Sequence, residues 1–179
     1  MRSLEQVLTE GIRDIPDYPQ PGVVFKDITP LLADHTGFTQ VVEALAAFGK
    51  DDDGEVVVDK VVGIEARGFI LAAPVALALG AGFVPVRKQG KLPSATFAES
   101  YELEYGEATI EVHQDAFAPG DRVLVIDDVL ATGGTVEACL RLVRRCGAEI
   151  VGTGVLIELS FLPGRKRLSG ERVDALVTV

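Results

Sequence analysis

The stretch Val123-Leu-Val-Ile-Asp-Asp-Val-Leu-Ala-Thr-Gly-Gly-Thr135 decides the fold class. Its apolar start predicts a buried strand over 122–126, and the helical spacing further on predicts a helix over 134–146. Two carboxylates, Asp127 and Asp128, and a turn of small residues lie between them. This order is typical of an α/β protein, in which ligands bind beyond the carboxyl ends of parallel strands.

The turn after the two aspartates has the features of a phosphate site. Gly133 and Gly134 let the backbone close around a ligand, and the free N–H groups of the helix start attract an anion. Thr132 and Thr135 add hydroxyl donors. No Lys follows the glycines and no G-x-G-x-x-G is present, so neither a Walker A loop nor a dinucleotide fingerprint fits. Acids or glycines alone could simply end a strand and make a turn, but together they predict a phosphomonoester site.

The flanking sequence extends the alternation of strands and helices. Further strands are predicted over 61–64, 82–86, 150–159 and 175–179, with a buried helix over 69–79 and a hairpin over 96–112. At the N-terminus, Ser3 is expected to cap a first helix, a proline-rich irregular segment follows, and a second helix covers 38–48. Right-handed crossovers then imply one domain over 1–179, with a central, mainly parallel sheet flanked by helices.

Composition excludes several classes of partner and sets one requirement. The net charge of −10 disfavours nucleic acid and anionic membranes. No signal-peptide pattern is seen, and no apolar run approaches the roughly 20 residues that span a bilayer. Cys139 and Cys146 are seven positions apart on one predicted helix, too far for a bridge, so we expect reduced thiols in a cytoplasmic protein. An acidic chain that binds a polyanion must carry local clusters of cations.

Two such clusters follow predicted strands. In Gly63-Ile-Glu-Ala-Arg-Gly-Phe69, the planar fork of Arg67 suits diphosphate oxygens, although it could instead pair with Glu65. The segment after 82–86 supplies Arg87, Lys88 and Lys91. Such a cluster is commonly a solvated surface loop, but here it falls at a strand end where the fold places ligands.

The stretch 123–135 resembles the phosphoribosyl-pyrophosphate signature of the type I phosphoribosyltransferase family. The resemblance implies that Asp127 and Asp128 face the ribose hydroxyls. It assigns the 5′-phosphate to Ala131, Thr132, Gly133, Gly134 and Thr135. The 63–69 segment resembles the pyrophosphate loop of the adenine-specific branch. That second resemblance implies pyrophosphate contacts at Ala66 and Arg67. The position of Arg87, Lys88 and Lys91 after a predicted strand leads us to expect pyrophosphate contacts from them as well.

Two further segments resemble the same branch. Pro21-Gly-Val-Val-Phe-Lys-Asp-Ile-Thr-Pro-Leu31 is similar to its hood, which implies that Phe25 stacks on the base while backbone groups of Val24 and Lys26 read its edge. Ser100-Tyr-Glu-Leu-Glu-Tyr-Gly106 is similar to its catalytic loop, which implies Glu104 as acid/base and Tyr105 as the residue that closes the site. From the residues alone, Phe25 could anchor a loop, and the acidic hairpin could be a solvated surface.

The resemblance implies a type I phosphoribosyltransferase fold with an N-terminal hood over about 15–35 and a flexible catalytic hairpin loop over about 92–112. The implied reaction joins adenine to phosphoribosyl pyrophosphate and releases AMP and pyrophosphate. Mg²⁺ is expected to bind through substrate and water, with no direct protein ligand, and the expected assembly is a homodimer. The alternatives are a phosphoribosyltransferase for another base and a non-catalytic sensor of phosphoribosyl pyrophosphate or purines.

Overall fold

The chain folds into two units, each organised by its own sheet. The computed structural model describes residues 2–103 and 106–179. The units cover Met1–Ala44 and Leu45–Val179. In the described part of the chain, no helix is long and apolar enough to cross a membrane.

The first unit contains a two-stranded antiparallel sheet among short helices. Its elements are α1 (Leu4–Gly11), β1 (Arg13–Pro16), β2 (Val24–Asp27), α2 (Thr29–Ala33) and the start of α3 (His35–Ala47). Ser3 caps α1 as predicted, because its hydroxyl accepts the N–H of Gln6 and the Gln6 side chain accepts the N–H of Ser3. β1 and β2 form an antiparallel pair on either side of residues 17–23. From its prolines we expected this part of the chain to be irregular.

The second unit alternates strands and helices. Its elements are β3 (Lys60–Ile64), α4 (Arg67–Leu79), β4 (Gly82–Lys88), β5 (Thr96–Glu102), β6 (Glu107–His113), β7 (Arg122–Leu130), α5 (Gly134–Arg145), β8 (Glu149–Glu158), α6 (Gly164–Arg167) and β9 (Val173–Thr178). The strand order is β5-β6-β4-β3-β7-β8-β9. The neighbours from β4 to β9 pair in parallel, whereas β5 and β6 form an antiparallel hairpin beside β4. The predicted α/β fold with a mainly parallel sheet is confirmed.

The centre of the sheet is a dry apolar layer. Val62 in β3 and Val125 in β7 are fully buried, and Leu142 of α5 packs in the same cluster. Strands covered on both faces form continuous apolar runs, which is why these segments were readable in the sequence. The two cysteines are free, as expected, with Cys139 buried in the core.

Two strands are longer than their apolar runs. β7 continues past Ile126 to Leu130, so Asp127 and Asp128 are strand residues and not the start of the turn. β4 continues to Lys88, so Arg87 and Lys88 also belong to a strand. Both extensions are polar strand ends at the ligand-binding edge, and an apolar pattern cannot mark their limits.

Candidate active site

Three neighbouring strands end at one edge of the sheet and bring the predicted site together. β3 lies between β4 and β7, and all three run in parallel. The crossover through α4 leads from β3 to one side, while the crossover through α5 leads from β7 to the other. The chain therefore reverses its direction of winding between β3 and β7, which is where open α/β sheets bind ligands.

The turn between β7 and α5 forms a small polar cavity. This cavity of about 70 Å³ is lined by Asp127, Val129, Leu130, Ala131, Thr132, Gly133, Thr135 and Val136. Gly133 is the N-cap of α5 with φ 82°, a left-handed conformation that glycine adopts without steric penalty. It has no side chain to cap the helix, so the first N–H groups of α5 are suited to bind an anion.

A short helix that the sequence did not reveal braces this turn. α6 begins at Gly164, which packs so closely that an added Cβ would collide with the carbonyl oxygen of Ala131 and reach within 3.0 Å of Leu130. Arg165 holds α6 in place, because its guanidinium donates to both carboxylate oxygens of the buried Glu158 and to the carbonyl of Val173. This turn, the phosphate turn (residues 131–133), is thus held in place by backbone contact with α6.

The two aspartates are buried and take different partners. Asp127 lines the cavity at the turn, and its Oδ1 accepts the N–H of Asp128 at 2.9 Å. Asp128 Oδ2 lies 2.7 Å from Nε of Arg67. Burial raises the pKa of Asp127 well above its usual value, and the adjacent Asp128 carboxylate adds to the shift. The alternative pairing considered for Arg67 was Glu65, but the ion pair seen here is with Asp128.

Glu65 organises the cations that follow β4. Its side chain is only 9% exposed and contacts Lys91 Nζ at 2.6 Å and Arg87 Nε at 3.5 Å. It also accepts the backbone N–H of Lys88 at 2.9 Å. Burial alone would raise the pKa of Glu65, but the bonds from Lys91 and Lys88 and the charge of Arg87 hold it below the usual value.

The pyrophosphate residues predicted from the sequence therefore lie along one short edge. Ala66 is the N-cap of α4, and the peptide bond between Glu65 and Ala66 is cis. Arg67 opens α4, while Arg87 and Lys88 end β4. Sequence reasoning missed Glu65 as the residue that gathers the cations. The signal was a carboxylate placed directly after a buried strand.

The residues predicted to bind the base lie on β2 in the first unit. Val24 is half exposed, and the ring of Phe25 meets that of Tyr18 edge to face, with centroids 5.2 Å apart. Lys26 Nζ is 2.7 Å from Asp14 Oδ1. The ammonium group of Lys26 is thus engaged within the two-stranded sheet, in which Asp14 and Lys26 are also paired residues of β1 and β2.

The predicted catalytic residues Glu104 and Tyr105 lie outside the described residues. The flanking strands β5 and β6 pair antiparallel over 96–102 and 107–113, which confirms the predicted hairpin. Beside the phosphate turn, a cleft of about 800 Å³ is lined by Glu102, Leu103, Thr132, Leu162, Pro163, Lys166 and Arg167. Lys166 and Arg167 are additional cations at this edge, and no pattern in the sequence had indicated them.

Residues 2–103 and 106–179 contain no cluster of three or more potential metal ligands. The carboxylates nearest the turn are Asp127 and Asp128, and the second is paired with Arg67. Carboxylate oxygens are ligands that Mg²⁺ accepts, so Asp127 and Asp128 could contact a divalent cation or its water shell.

The chain is similar to proteins of one family along nearly its whole length. Residues 31–178 match the phosphoribosyl transferase domain. An adenine phosphoribosyltransferase of Nocardioides sp. is 65% identical over 168 residues, which cover 94% of this chain and 91% of that protein. Another, of Streptomyces coelicolor, is 58% identical and covers 98% of this chain and 97% of its own length.

Solved structures give the same result. The adenine phosphoribosyltransferase of Rhodothermus marinus is 54% identical, covers 98% of each chain and superposes with a TM-score of 0.89. That of Saccharomyces cerevisiae, complexed with an imino-altritol bisphosphate and adenine, is 37% identical. It covers 99% of this chain and 100% of its own and has a TM-score of 0.93.

Proposed function

This chain belongs to the adenine phosphoribosyltransferase family, and we propose that it transfers the 5-phosphoribosyl group from phosphoribosyl pyrophosphate to adenine, yielding AMP and pyrophosphate. The observation that carries the proposal is the edge formed by β4, β3 and β7. There a phosphate turn and a row of cations flank two buried aspartates. This order of groups along the edge matches a substrate with a phosphate at one end of a ribose and a diphosphate at the other.

The phosphate turn is suited to the 5′-phosphate. Backbone N–H groups from Ala131 to Thr135 and the two threonine hydroxyls supply donors around a small cavity. The start of α5 adds the positive end of its dipole. Because α6 already braces the turn, these donors need little rearrangement when the phosphate binds.

The two aspartates and the cations are suited to the other half of the substrate. Asp127 and Asp128 accept hydrogen bonds from the ribose hydroxyls, and the ion pair with Arg67 fixes Asp128 at the boundary between ribose and diphosphate. Arg67, Arg87, Lys88, Lys91 and the backbone at Ala66 then hold the diphosphate. The pyrophosphate leaves with negative charge, which these cations stabilise.

The chemical step is a displacement at C1′ of the ribose. The bond from C1′ to the pyrophosphate oxygen breaks, its electron pair leaves with pyrophosphate, and N9 of adenine forms the new bond. We expect an oxocarbenium-like transition state, as in other glycosyl transfers. Glu104 accepts the proton that the purine loses as N9 forms the new bond, and Tyr105 closes the site against water. When bound through substrate oxygens and water, Mg²⁺ would supply positive charge beside the leaving group.

The base is assigned to the first unit. Phe25 stacks on adenine, and the backbone groups of Val24 and Lys26 read its edge. The ion pair between Lys26 and Asp14 supports a backbone contact, since it already occupies the side chain. In this proposal residues 15–35 form the hood and residues 92–112 the flexible loop of a single functional domain. The relatives support a single domain, because their similarity extends over 94% and 98% of this chain and so includes most of the first unit.

We further propose a cytoplasmic homodimer. Among the described residues, α4 exposes Ile70 at 43% and Leu77 at 83%, and the two lie seven positions apart on one helix face. Exposed apolar patches of this kind commonly mark protein contacts. Sedimentation equilibrium of the purified protein and of Leu77→Asp tests the assembly. A monomeric wild type would contradict it.

One assay tests the activity. The purified protein is incubated with Mg²⁺, phosphoribosyl pyrophosphate and each nucleobase in turn, and pyrophosphate release and nucleotide formation are measured. AMP formed from adenine alone supports the proposal. Another preferred base would favour a related transferase, and binding without release would favour a sensor. Glu104→Gln should lower turnover while phosphoribosyl pyrophosphate still binds, and unchanged turnover would remove Glu104 from the mechanism.

A further inference from the structure

Two arginines of α5 bind β5, the strand that leads into the predicted catalytic loop. Arg141 Nε donates to Glu99 Oε1 at 2.8 Å, and its Nη2 donates to the carbonyl of Ser100 at 3.2 Å. Arg145 Nη1 donates to the carbonyl of Ala98 at 2.9 Å, and its guanidinium carbon lies 5.0 Å from the centroid of the Phe97 ring. Backbone carbonyls are the acceptors in two of these bonds.

The contacts follow the two elements in step. Arg141 and Arg145 are one helical turn apart, about 6 Å along the axis, and their partners are two strand residues apart, about 6.7 Å. Further toward the start of α5, the Tyr101 ring lies 3.4 Å from where a Cβ on Gly134 would be. β5 therefore runs along α5 from its C-terminal half toward its N-terminus and delivers Leu103 beside Thr132 of the phosphate turn.

Arg141 is also connected through ion pairs to α6, the helix that braces the phosphate turn. Glu137, in the first turn of α5, contacts Arg141 at 3.3 Å and Arg167 of α6 at 2.7 Å. Exposed ion pairs of this kind add little to global stability. They instead oppose displacement, because a slip of the paired β5–β6 hairpin along α5 by two residues would move the end of β5 by about 6.7 Å relative to the phosphate turn.

We propose that Arg141 and Arg145 are positioning residues that set the lengthwise register of β5 on α5, and thereby where Glu102 and Leu103, at the end of β5, lie relative to the 5′-phosphate site. This inference rests on the proposed function for the role of Glu104. The opposing interpretation is that the two arginines only stabilise an exposed hairpin.

Arg144 provides a matched control on the same helix. Like Arg141 and Arg145 it is about half exposed, and it makes a forked ion pair, but its partner is Glu171 instead of the hairpin. The variants are Arg141→Gln, Arg145→Gln, Arg144→Gln and the rescue variant Arg141→Lys. Glu99→Ala removes the Arg141 side-chain contact from the hairpin side and serves if an arginine variant fails to fold.

Single-turnover AMP formation, phosphoribosyl pyrophosphate affinity and the thermal midpoint are measured for each variant. We expect Arg141→Gln and Arg145→Gln to slow single turnover by roughly tenfold each, as a displaced catalytic group would. Affinity should stay within about twofold, Arg141→Lys should recover part of the rate, and Arg144→Gln should match the wild type. Equal loss in Arg144→Gln, or a lowered thermal midpoint with an unchanged rate, would overturn the inference.

Amide hydrogen exchange separates this inference from the proposed function. Residues 96–102 should exchange faster in Arg141→Gln than in Arg144→Gln, a result that needs no turnover. If the wild type makes no AMP, the proposed function fails while the exchange result still decides whether the arginines hold the strand. If the wild type is active and neither rate nor exchange changes, the inference alone is wrong.

Discussion

Replacement of Gly164 by alanine should damage phosphate binding, although Gly164 is not itself a predicted substrate-binding residue. The added Cβ would collide with the carbonyl oxygen of Ala131 and lie 3.0 Å from Cγ and Cδ1 of Leu130. Carbon atoms pack at about 3.5–4.0 Å, so α6 and the turn must separate by roughly 0.5–1 Å. A backbone carbonyl inside a bound turn cannot rotate away as a flexible side chain could.

The size of the effect follows from hydrogen-bond length. A shift of that size moves an N–H donor at Ala131 or Thr132 from about 2.9 Å to beyond about 3.4 Å from a phosphate oxygen, outside good geometry. One charge-assisted bond is worth about 1.5–3 kcal/mol, so affinity for the 5′-phosphate should fall roughly 10- to 150-fold. The overpacked core should also lose about 1–3 kcal/mol of unfolding free energy.

Isothermal titration with AMP and with phosphoribosyl pyrophosphate measures the loss, and pyrophosphate, which lacks the 5′-phosphate, should bind normally. Gly152→Ala is the control, because its Cβ would meet nothing closer than the flexible Arg172 side chain at 3.4 Å. Wild-type affinity of Gly164→Ala for AMP would refute the reasoning, as would an equal loss of pyrophosphate binding.

Three further predictions concern charge. Because the pKa of Asp127 is raised, its ionisation opposes folding as pH rises above the usual carboxyl pKa. Asp127→Asn should therefore be more stable than wild type by roughly 1–3 kcal/mol at pH 7.5 and by less near pH 4. The same variant should be catalytically poor. Denaturant melts that show no gain would contradict this. The pKa of Glu65 is lowered, so its contribution to stability is present above the usual carboxyl pKa and is lost as pH falls below it. Glu65→Gln should therefore be less stable than wild type at pH 7, and a stability gap that does not narrow in acid would count against this. Finally, added salt should lower kcat/KM for phosphoribosyl pyrophosphate but should not weaken adenine binding. The reason is that Arg67, Arg87 and Lys91 attract a polyanion despite the net charge of −10. A kcat/KM that does not depend on salt would show that these cations do not govern the binding of phosphoribosyl pyrophosphate.

The parts of the molecule that sequence reasoning found are those whose signal is local. The phosphate turn was readable because an apolar run, two acids, two glycines and a helix follow one another within 123–135. The parallel sheet was readable because its buried strands are continuous apolar runs. The hairpin over 96–112 was found from alternation, and its strands end within one or two residues of that range.

The parts that it missed depend on contacts between distant segments. α6 has four residues and no apolar periodicity, and its place is set by the approach of Gly164 to Ala131. The carboxylate of Glu65 lies among charges that only the sheet assembles, so its role has no local pattern. β1 and β2 were hidden because the chain between them is rich in proline, which usually indicates irregular structure.

The dispersal of the site along the chain has a consequence for folding. Its parts come from residues 65–67, 87–91, 127–135 and 164, on four connections of one sheet. No fragment of that sheet can assemble the whole site, so substrate binds the folded second unit and not a partly unfolded one. Phosphoribosyl pyrophosphate at 100 times its Kd would then raise the free energy of unfolding by about 2.7 kcal/mol. Bound substrate should therefore slow proteolysis that proceeds through the unfolded chain.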